Sequence, residues 1–386
     1  MRNTDGMKID SKLPDTGTSI FTVMSKMALE YNAINLSQGF PDFEIDPVIV
    51  DLVYRFMREG HNQYAPMPGT PQLQQAISAA VLQTYQHPAD AEKEITVTAG
   101  ATEGIFAAIA AFVRAGDEVI IFDPAYDAYK PSVQLIGGTP VHVNLVYPDF
   151  SIDWDLVRRK ISKKTRMIIL NTPHNPCGAI RTGADLQELE KIAVENNLLV
   201  LSDEVYDRLV FDQRRHESVL RYPALAQRSL AIFSFGKTFH ATGWKAGYVI
   251  APEHLTVEFR KSHQFVVFSV NTPVQLALAE YLQDTEHTRL LGDFYQQKRD
   301  FFLAQIAGSS FEPLPCHGSY FQVLSYRNIS DKPDTTMAEY LAKTLKVASI
   351  PVSVFYQDGT DNRLLRFCFA KKEETLQRAC EILRKM

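Results

Sequence analysis

Lys237 lies in Ser234-Phe235-Gly236-Lys237-Thr238, directly after the apolar run Leu230-Ala231-Ile232-Phe233. A second lysine, Lys245, follows in Gly243-Trp244-Lys245-Ala246-Gly247. A strand-like run thus delivers one lysine into a turn of small residues, with another cation close behind. A lysine amine shielded from water gives up its charge readily and then forms a Schiff base with an aldehyde. A neighbouring cation suits a phosphate. The pair points to an aldehyde cofactor carrying phosphate, which is pyridoxal phosphate. Gly236-Lys237-Thr238 also matches the end of a nucleotide-binding Walker A loop, but that pattern needs glycine at 231, where the residue is Ala231.

Each part of such a cofactor makes its own demand on the chain. The phosphate needs N–H groups, hydroxyls and cations. Gly100-Ala101-Thr102 opens a helix-period stretch, whose free N–H groups favour an anion. Ser234 and Lys245 would add a hydroxyl and a charge; Thr102 could equally be a plain N-cap. The pyridine nitrogen stays protonated beside a carboxylate. Asp203, at the end of an apolar run, is the candidate, and Glu204 should point the other way. Tyr206 and Asn175 could donate to the 3′-oxygen, although Tyr206 could also be a core aromatic. Tyr126 could stack on the ring or simply pack. A substrate carboxylate suits a planar guanidinium. Arg366, within Leu364-Leu365-Arg366-Phe367-Cys368-Phe369, is the candidate, unless strict alternation puts it on an exposed face.

These residues sit at the ends of short apolar runs that alternate with helical patterns. Glu94–Thr98 leads to Gly100-Ala101-Thr102, and Glu118–Phe122 to Asp123-Pro124-Ala125-Tyr126. Arg166–Leu170 leads to Asn171-Thr172-Pro173-His174-Asn175-Pro176-Cys177-Gly178. Leu198–Leu201 leads to Asp203 and Tyr206, and Leu230–Phe233 to Ser234 and Lys237. Tyr248–Ala251 adds a further strand, and Thr102 to Arg114 reads as a helix. Runs without alternation imply strands buried on both faces, hence a mostly parallel sheet covered by helices. In such α/β sheets, ligands bind beyond the carboxyl ends of the strands. The five polar strand ends should therefore converge on one site.

The 386 residues suffice for two or three domains, and 45% hydrophobic with 22% charged residues fits a globular protein. A net charge of −5 offers no basic field for nucleic acid or anionic membrane. The four cysteines (Cys177, Cys316, Cys368, Cys380) are scattered, which fits a reducing compartment and gives no zinc framework. The opening, Met1 to Gly6, is polar and lacks a signal-peptide core, and the longest apolar stretch, Ile105 to Val113, is too short to span a bilayer. The expectation is a cytoplasmic protein.

With these motifs assembled, the chain resembles the fold-type I, class I/II aminotransferases that use pyridoxal phosphate. The resemblance runs from Leu36-Ser37-Gln38-Gly39-Phe40-Pro41-Asp42 to Arg366. Asn62-Gln63-Tyr64-Ala65-Pro66, Gly243-Trp244-Lys245 and Asn271-Thr272-Pro273 look most like the methionine and kynurenine (glutamine, aromatic) branch. The resemblance implies an α/β fold: a large domain over 46–284 with a mostly parallel, seven-stranded sheet, and a smaller α+β domain. The latter would take an arm from 1–45 and the segment 285–386. It implies that Lys237 carries the cofactor and shuttles the proton, and that Asp203 pairs with the ring nitrogen. Tyr206 and Asn175 would meet the 3′-oxygen, and Tyr126 would lie on the ring. Gly100, Ala101, Thr102, Ser234 and Lys245 would hold the phosphate. Tyr64 would reach the phosphate of a partner subunit, so a homodimer is implied. Arg366, Asn175 and the backbone of Gly39 would bind the substrate carboxylate. Two positions depart from the usual pattern: Lys245 stands where many relatives carry arginine, and Cys177 replaces a threonine.

The expected reaction is a ping-pong transamination between an amino acid and a 2-oxo acid, through pyridoxamine phosphate. No second arginine is evident for a side-chain carboxylate, and Phe21, Phe40, Tyr64, Tyr126 and Phe355 could line an apolar pocket. Methionine and aromatic amino acids are therefore expected over aspartate. A cysteine-S-conjugate β-lyase on the same scaffold begins with the same proton abstraction, and pyruvate and ammonia release without an acceptor would reveal it. A ligand-sensing module of a transcription regulator would need a DNA-binding domain, and only about thirty residues precede the first motif.

Overall fold

A computed structural model describes residues 10–386; the polar opening Met1 to Gly6 lies outside them. Among the described residues, no helix is long and apolar enough to cross a membrane. The chain enters through α1 (Ile20–Glu30), β1 (Ile34–Asn35), α2 (Pro47–Arg58) and α3 (Pro71–Tyr85). Each of the three helices starts at a side-chain cap, from Ser19, Asp46 and Thr70.

The apolar runs become β2 (Ile95–Thr98), β3 (Glu118–Asp123), β4 (Thr139–Asn144), β5 (Thr165–Asn171), β6 (Leu199–Asp203), β7 (Ser229–Ser234) and β8 (Gly247–Ile250). They form one seven-stranded sheet in the order β2-β8-β7-β6-β5-β3-β4. All pairings are parallel except those of β8, which runs antiparallel to both neighbours. The lack of alternation has a direct cause. Ile120 packs into the core on one face and Ile121 into the core on the other, both fully buried. Successive side chains of a strand point to opposite faces, so a sheet covered twice needs apolar residues at every position.

Two features of the sheet were not legible in the sequence. β4 is an edge strand with only partial burial and begins Thr139-Pro140, so it carries no continuous apolar run. The direction of β8 also escaped, because periodicity carries no sign. Its reversal brings Gly247, and Lys245 before it, to the edge where β2, β3, β5, β6 and β7 end.

The C-terminal third builds a second sheet from β9 (Glu312–Pro313), β10 (Phe321–Ser325), β12 (Ile350–Pro351) and β13 (Leu364–Cys368), antiparallel in the order β12-β13-β10-β9. β11 (Val347–Ala348) pairs in parallel with β1, so the start of the described chain is stitched to its far end. Leu36 extends this seam, receiving the Cys368 N–H on its carbonyl. Arg366 lies on the inner strand β13 opposite Val323 and Ile350. The alternative of an exposed face is therefore corrected: a strand flanked on both sides and covered by side chains leaves Arg366 with 0% exposure.

Candidate active site

A cavity of about 240 Å³ opens at the carboxyl edge of the large sheet. Every residue named from the sequence for the cofactor or the substrate carboxylate lines it except Tyr64. Their convergence follows from topology: β2, β5, β6 and β7 are parallel or share a direction, so their C-terminal residues arrive side by side.

Lys237 sits in a single helical turn, Phe235–Thr238, immediately after β7. Its Nζ donates to Tyr320 Oη at 2.7 Å and to the Gly39 carbonyl at 3.3 Å. Tyr320 Oη in turn donates to the same carbonyl. Burial lowers the Lys237 pKa to about 8, and the charges of Arg366 and Lys245 push in the same direction.

Asp203 ends β6 and is almost fully buried. Its oxygens accept from the hydroxyl of Tyr129 and the N–H of Val205, both neutral donors. Burial raises its pKa to about 6, against the pull of the Tyr129 hydrogen bond. Glu204 turns to the opposite face, where Ser202 Oγ, His216 Nε2 and the Val219 N–H occupy it. Tyr206 lies edge-on to Tyr320, with ring centroids 5.1 Å apart, and burial raises the pKa of its hydroxyl well above the ordinary range.

α4 (Ala101–Phe112) points its N-terminus into the cavity. Its cap is Gly100, not Thr102, which corrects the plain-cap alternative: Thr102 is the second helical residue and its hydroxyl is free of that duty. Gly100 has φ +79°, a left-handed conformation that favours glycine. A Cβ there would also lie 3.2 Å from Lys245 Nζ, so the ammonium rests directly over the helix start. Ser234 joins this group from the end of β7.

Arg366 reaches the cavity from β13. Its Nη1 donates to Asn175 Oδ1 and its Nη2 to the Ser37 carbonyl, each at 2.8 Å. Nε has no partner among the described residues. The guanidinium lies 3.9 Å from the centroid of the Phe321 ring, and burial lowers its pKa to about 10. It is thus a buried cation held only by neutral acceptors. The Asn175 N–H donates to Asn171 Oδ1 at 2.8 Å, which fixes the turn that presents Asn175.

The apolar wall differs from expectation. Phe21 and Tyr126 line the cavity, but Phe40, Tyr64 and Phe355 do not. Phe40 is turned outward, its ring beneath the Lys371 ammonium at 4.9 Å. Phe355 stands behind Phe21 at 5.9 Å. Tyr64 is 81% exposed and meets the edge of Phe268. Phe321, missed in the sequence, takes their place. Tyr320 and Tyr129 were also missed. Tyr129 follows Tyr126 by three residues, across a turn closed by its N–H on the Tyr126 carbonyl, and was findable on that spacing. Tyr320 comes from the other sheet's neighbourhood and carries no local signal. Cys177 is buried, and burial pushes its thiol pKa well up, which leaves it inert.

Comparison with known proteins agrees with this geometry. The model of the family "Aminotransferase class I and II" matches residues 31–383. A methionine aminotransferase of Escherichia coli (strain K12) is 47% identical over 377 residues, covering 97% of this chain and 98% of the relative. A kynurenine–oxoglutarate transaminase of Dictyostelium discoideum is 33% identical, covering 96% and 94%. The crystal structure of an E. coli protein with a methionine aminotransferase function superposes with a TM-score of 0.97 at 46% identity, covering 99% of this chain and all of that one. The chain belongs to the class I and II aminotransferases.

Proposed function

We propose that this aminotransferase holds pyridoxal phosphate on Lys237 and moves the amino group of methionine and aromatic amino acids to a 2-oxo acid. Enzymes of this family use that cofactor in general. The residues present suit it. The N-terminus of α4, with Ser234 and Lys245, would take the phosphate. Asp203 would pair with the ring nitrogen: a buried carboxylate with only neutral donors is stabilised by a cationic partner. Tyr206 and Asn175 would meet the 3′-oxygen, and Tyr126 would lie against the ring. When bound, the group supplies an aldehyde that captures the substrate nitrogen and a protonated ring that draws electron density from Cα.

The rest of the work falls to the chain. Arg366 grips the substrate carboxylate through the guanidinium that has no acidic partner, with Asn175 beside it. Lys237, with a pKa near 8, has a substantial neutral fraction at physiological pH and can take a proton from Cα. Tyr320 and the Gly39 carbonyl hold Nζ while it does so. Arg366 is the one arginine lining the cavity among the described residues, so a side-chain carboxylate finds no guanidinium of its own. Phe21 and Phe321 instead offer apolar surface. The observation that carries this reading is the joint presence of Lys237, Asp203 and Arg366 in one buried cavity.

Borohydride reduction followed by peptide mapping should place the cofactor on Lys237, and Lys237→Ala should abolish turnover. A label on another lysine, or near wild-type activity in the variant, would overturn the assignment. For specificity, kcat/KM for methionine should exceed that for aspartate by about tenfold or more, since an unpaired buried carboxylate costs several kcal/mol. The reverse order would refute the substrate class. The division into 1–45, 46–284 and 285–386 belongs to the same proposal, with the smaller domain closing over substrate.

A further inference from the structure

A second cavity, of about 400 Å³, lies apart from the one just described and shares no lining residue with it. Three segments enclose it: the last turn of α3, the stretch 207–221 after β6, and residues 285–292. Its chemistry is lopsided. Arg208, Arg214, Arg215, Arg221 and Arg289 all line it, against a single lining carboxylate, Asp207. This is a concentrated positive patch on a chain whose net charge is −5.

The one lining carboxylate is already committed. Asp207 Oδ2 accepts from Tyr85 Oη at 2.5 Å and lies 3.2 Å from Arg208 Nε. Arg215 leans on Glu217 at 3.5 Å, and Arg289 on Glu286. Arg215 and Arg289 are themselves exposed, so each can turn toward a ligand, although Glu217 is mostly buried and Glu286 is held by two nitrogens of Arg289. Neither Arg214 nor Arg221 has an acidic partner within 4.0 Å among the described residues. Arg221 is held over the Tyr85 ring and donates Nη2 to the Thr84 carbonyl, yet its buried Nε has no partner. His216, also lining the cavity and nearly fully buried, binds Glu204 through Nε2 and leaves Nδ1 unpaired. Burial lowers the Arg221 pKa, and the charge of Arg215 adds to it, as expected where cations crowd.

Arg214 and Arg221 thus stand among three further arginines without a counter-charge of their own, and a bound anion would relieve that repulsion. Planar guanidinium forks are suited to phosphate oxygens. We propose that this cavity is a second ligand site, which binds a diphosphate, free or carried on a small organic molecule, between the stretch after Tyr206 and the segment 285–292. A diphosphate matches several separated forks better than one phosphate does. The position also gives binding a consequence. Asp207 directly follows Tyr206, which lines the active-site cavity. Gly292 packs so tightly on this stretch that a Cβ would come within 3.0 Å of the Val210 carbonyl. An anion shared by Arg214, Arg221 and Arg289 would tie residues 285–292 to the segment carrying Tyr206.

The test is calorimetric titration of inorganic pyrophosphate into protein loaded with pyridoxal phosphate and then freed of excess, so that the phosphate cradle at α4 stays filled. Saturable binding of one pyrophosphate per chain is expected, with Arg214→Glu weakening it by about tenfold or more. Lys160→Glu makes the same charge change on an exposed helix end elsewhere and should leave affinity unaltered. Hydrogen exchange should slow at 285–292 when pyrophosphate binds. Comparing pyrophosphate with ADP separates the free from the carried form, and tighter binding of either one supports the site. Absence of saturable binding, equal weakening by both variants, or protection confined to residues 100–102 would overturn the proposal.

Discussion

Tyr320 shows how much of the chemistry proposed for Lys237 would depend on a residue that no motif announces. Its hydroxyl receives a hydrogen bond from Nζ and passes one to the Gly39 carbonyl, so the amine is aimed by two groups from outside its own segment. Removing that hydroxyl leaves the amine present but less well held. Tyr320→Phe should lower kcat about tenfold, the worth of one hydrogen bond of ordinary strength, with little change in the KM of the amino donor. Steady-state kinetics with methionine would check it; a rise in KM at constant kcat would instead make Tyr320 a binding residue. Asp203 allows a test that separates stability from function. Its folded pKa is raised from 3.8 to about 6. Between those values the folded protein without cofactor holds more protons than the unfolded chain, so stability falls as pH rises through that window and stays lower above it. Asp203→Asn removes the ionisable group. Urea unfolding of the cofactor-free variant at pH 7.5 should show it at least as stable as wild type, with the difference shrinking as pH falls from about 6 to about 4 and absent below that. On the proposed role of Asp203, cofactor affinity should fall at the same time, because the ring nitrogen would lose its carboxylate. A variant less stable than wild type at pH 7.5 would mean that the ionised carboxylate is stabilising.

At the scale of elements, the sequence is informative wherever local pattern and burial coincide. β3, β5, β6 and β7 are continuous apolar runs because both faces of each are covered, and their polar ends are legible because nothing else interrupts the runs. Arg366 is legible for the same reason, as one charge in the otherwise buried β13. The losses have equally physical causes. β4 is half-buried at an edge and reads as a loop, and β9, β11 and β12 are two residues each, too short to carry a period. The pocket wall was misread because Phe40 and Phe355 have suitable chemistry but are aimed elsewhere by tertiary packing. Tyr129 and Tyr320 meet Asp203 and Lys237 only after separate elements dock.

For the whole molecule, the unexplained feature is an apolar surface. α2 buries Ile49 and Val53 on one side, yet Val50, Tyr54 and Met57, spaced i, i+4 and i+7, form a second apolar stripe facing outward. Phe265, Val266 and Phe268 at the end of the helix Glu253–Val266 are exposed as well, with Phe265 at 86%. Tyr64, itself exposed, lies edge-on to Phe268. A helix with apolar residues on both sides needs a second body to cover it, and apolar patches of this kind mark interaction surfaces. We propose that the occupant is another copy of the chain; Tyr64, which lines no cavity of its own subunit, would then complete the phosphate cradle across the interface with its hydroxyl. Two variants separate assembly from cradle. Tyr54→Asp should shift sedimentation from dimer toward monomer and lose cofactor with it, since placing a charge in a buried apolar interface costs several kcal/mol. Tyr64→Phe should remain dimeric and bind the cofactor about tenfold more weakly, as one charge-assisted hydrogen bond is lost. A fully active monomer would remove the need for a partner, and unchanged affinity in Tyr64→Phe would leave the hydroxyl outside the neighbouring site.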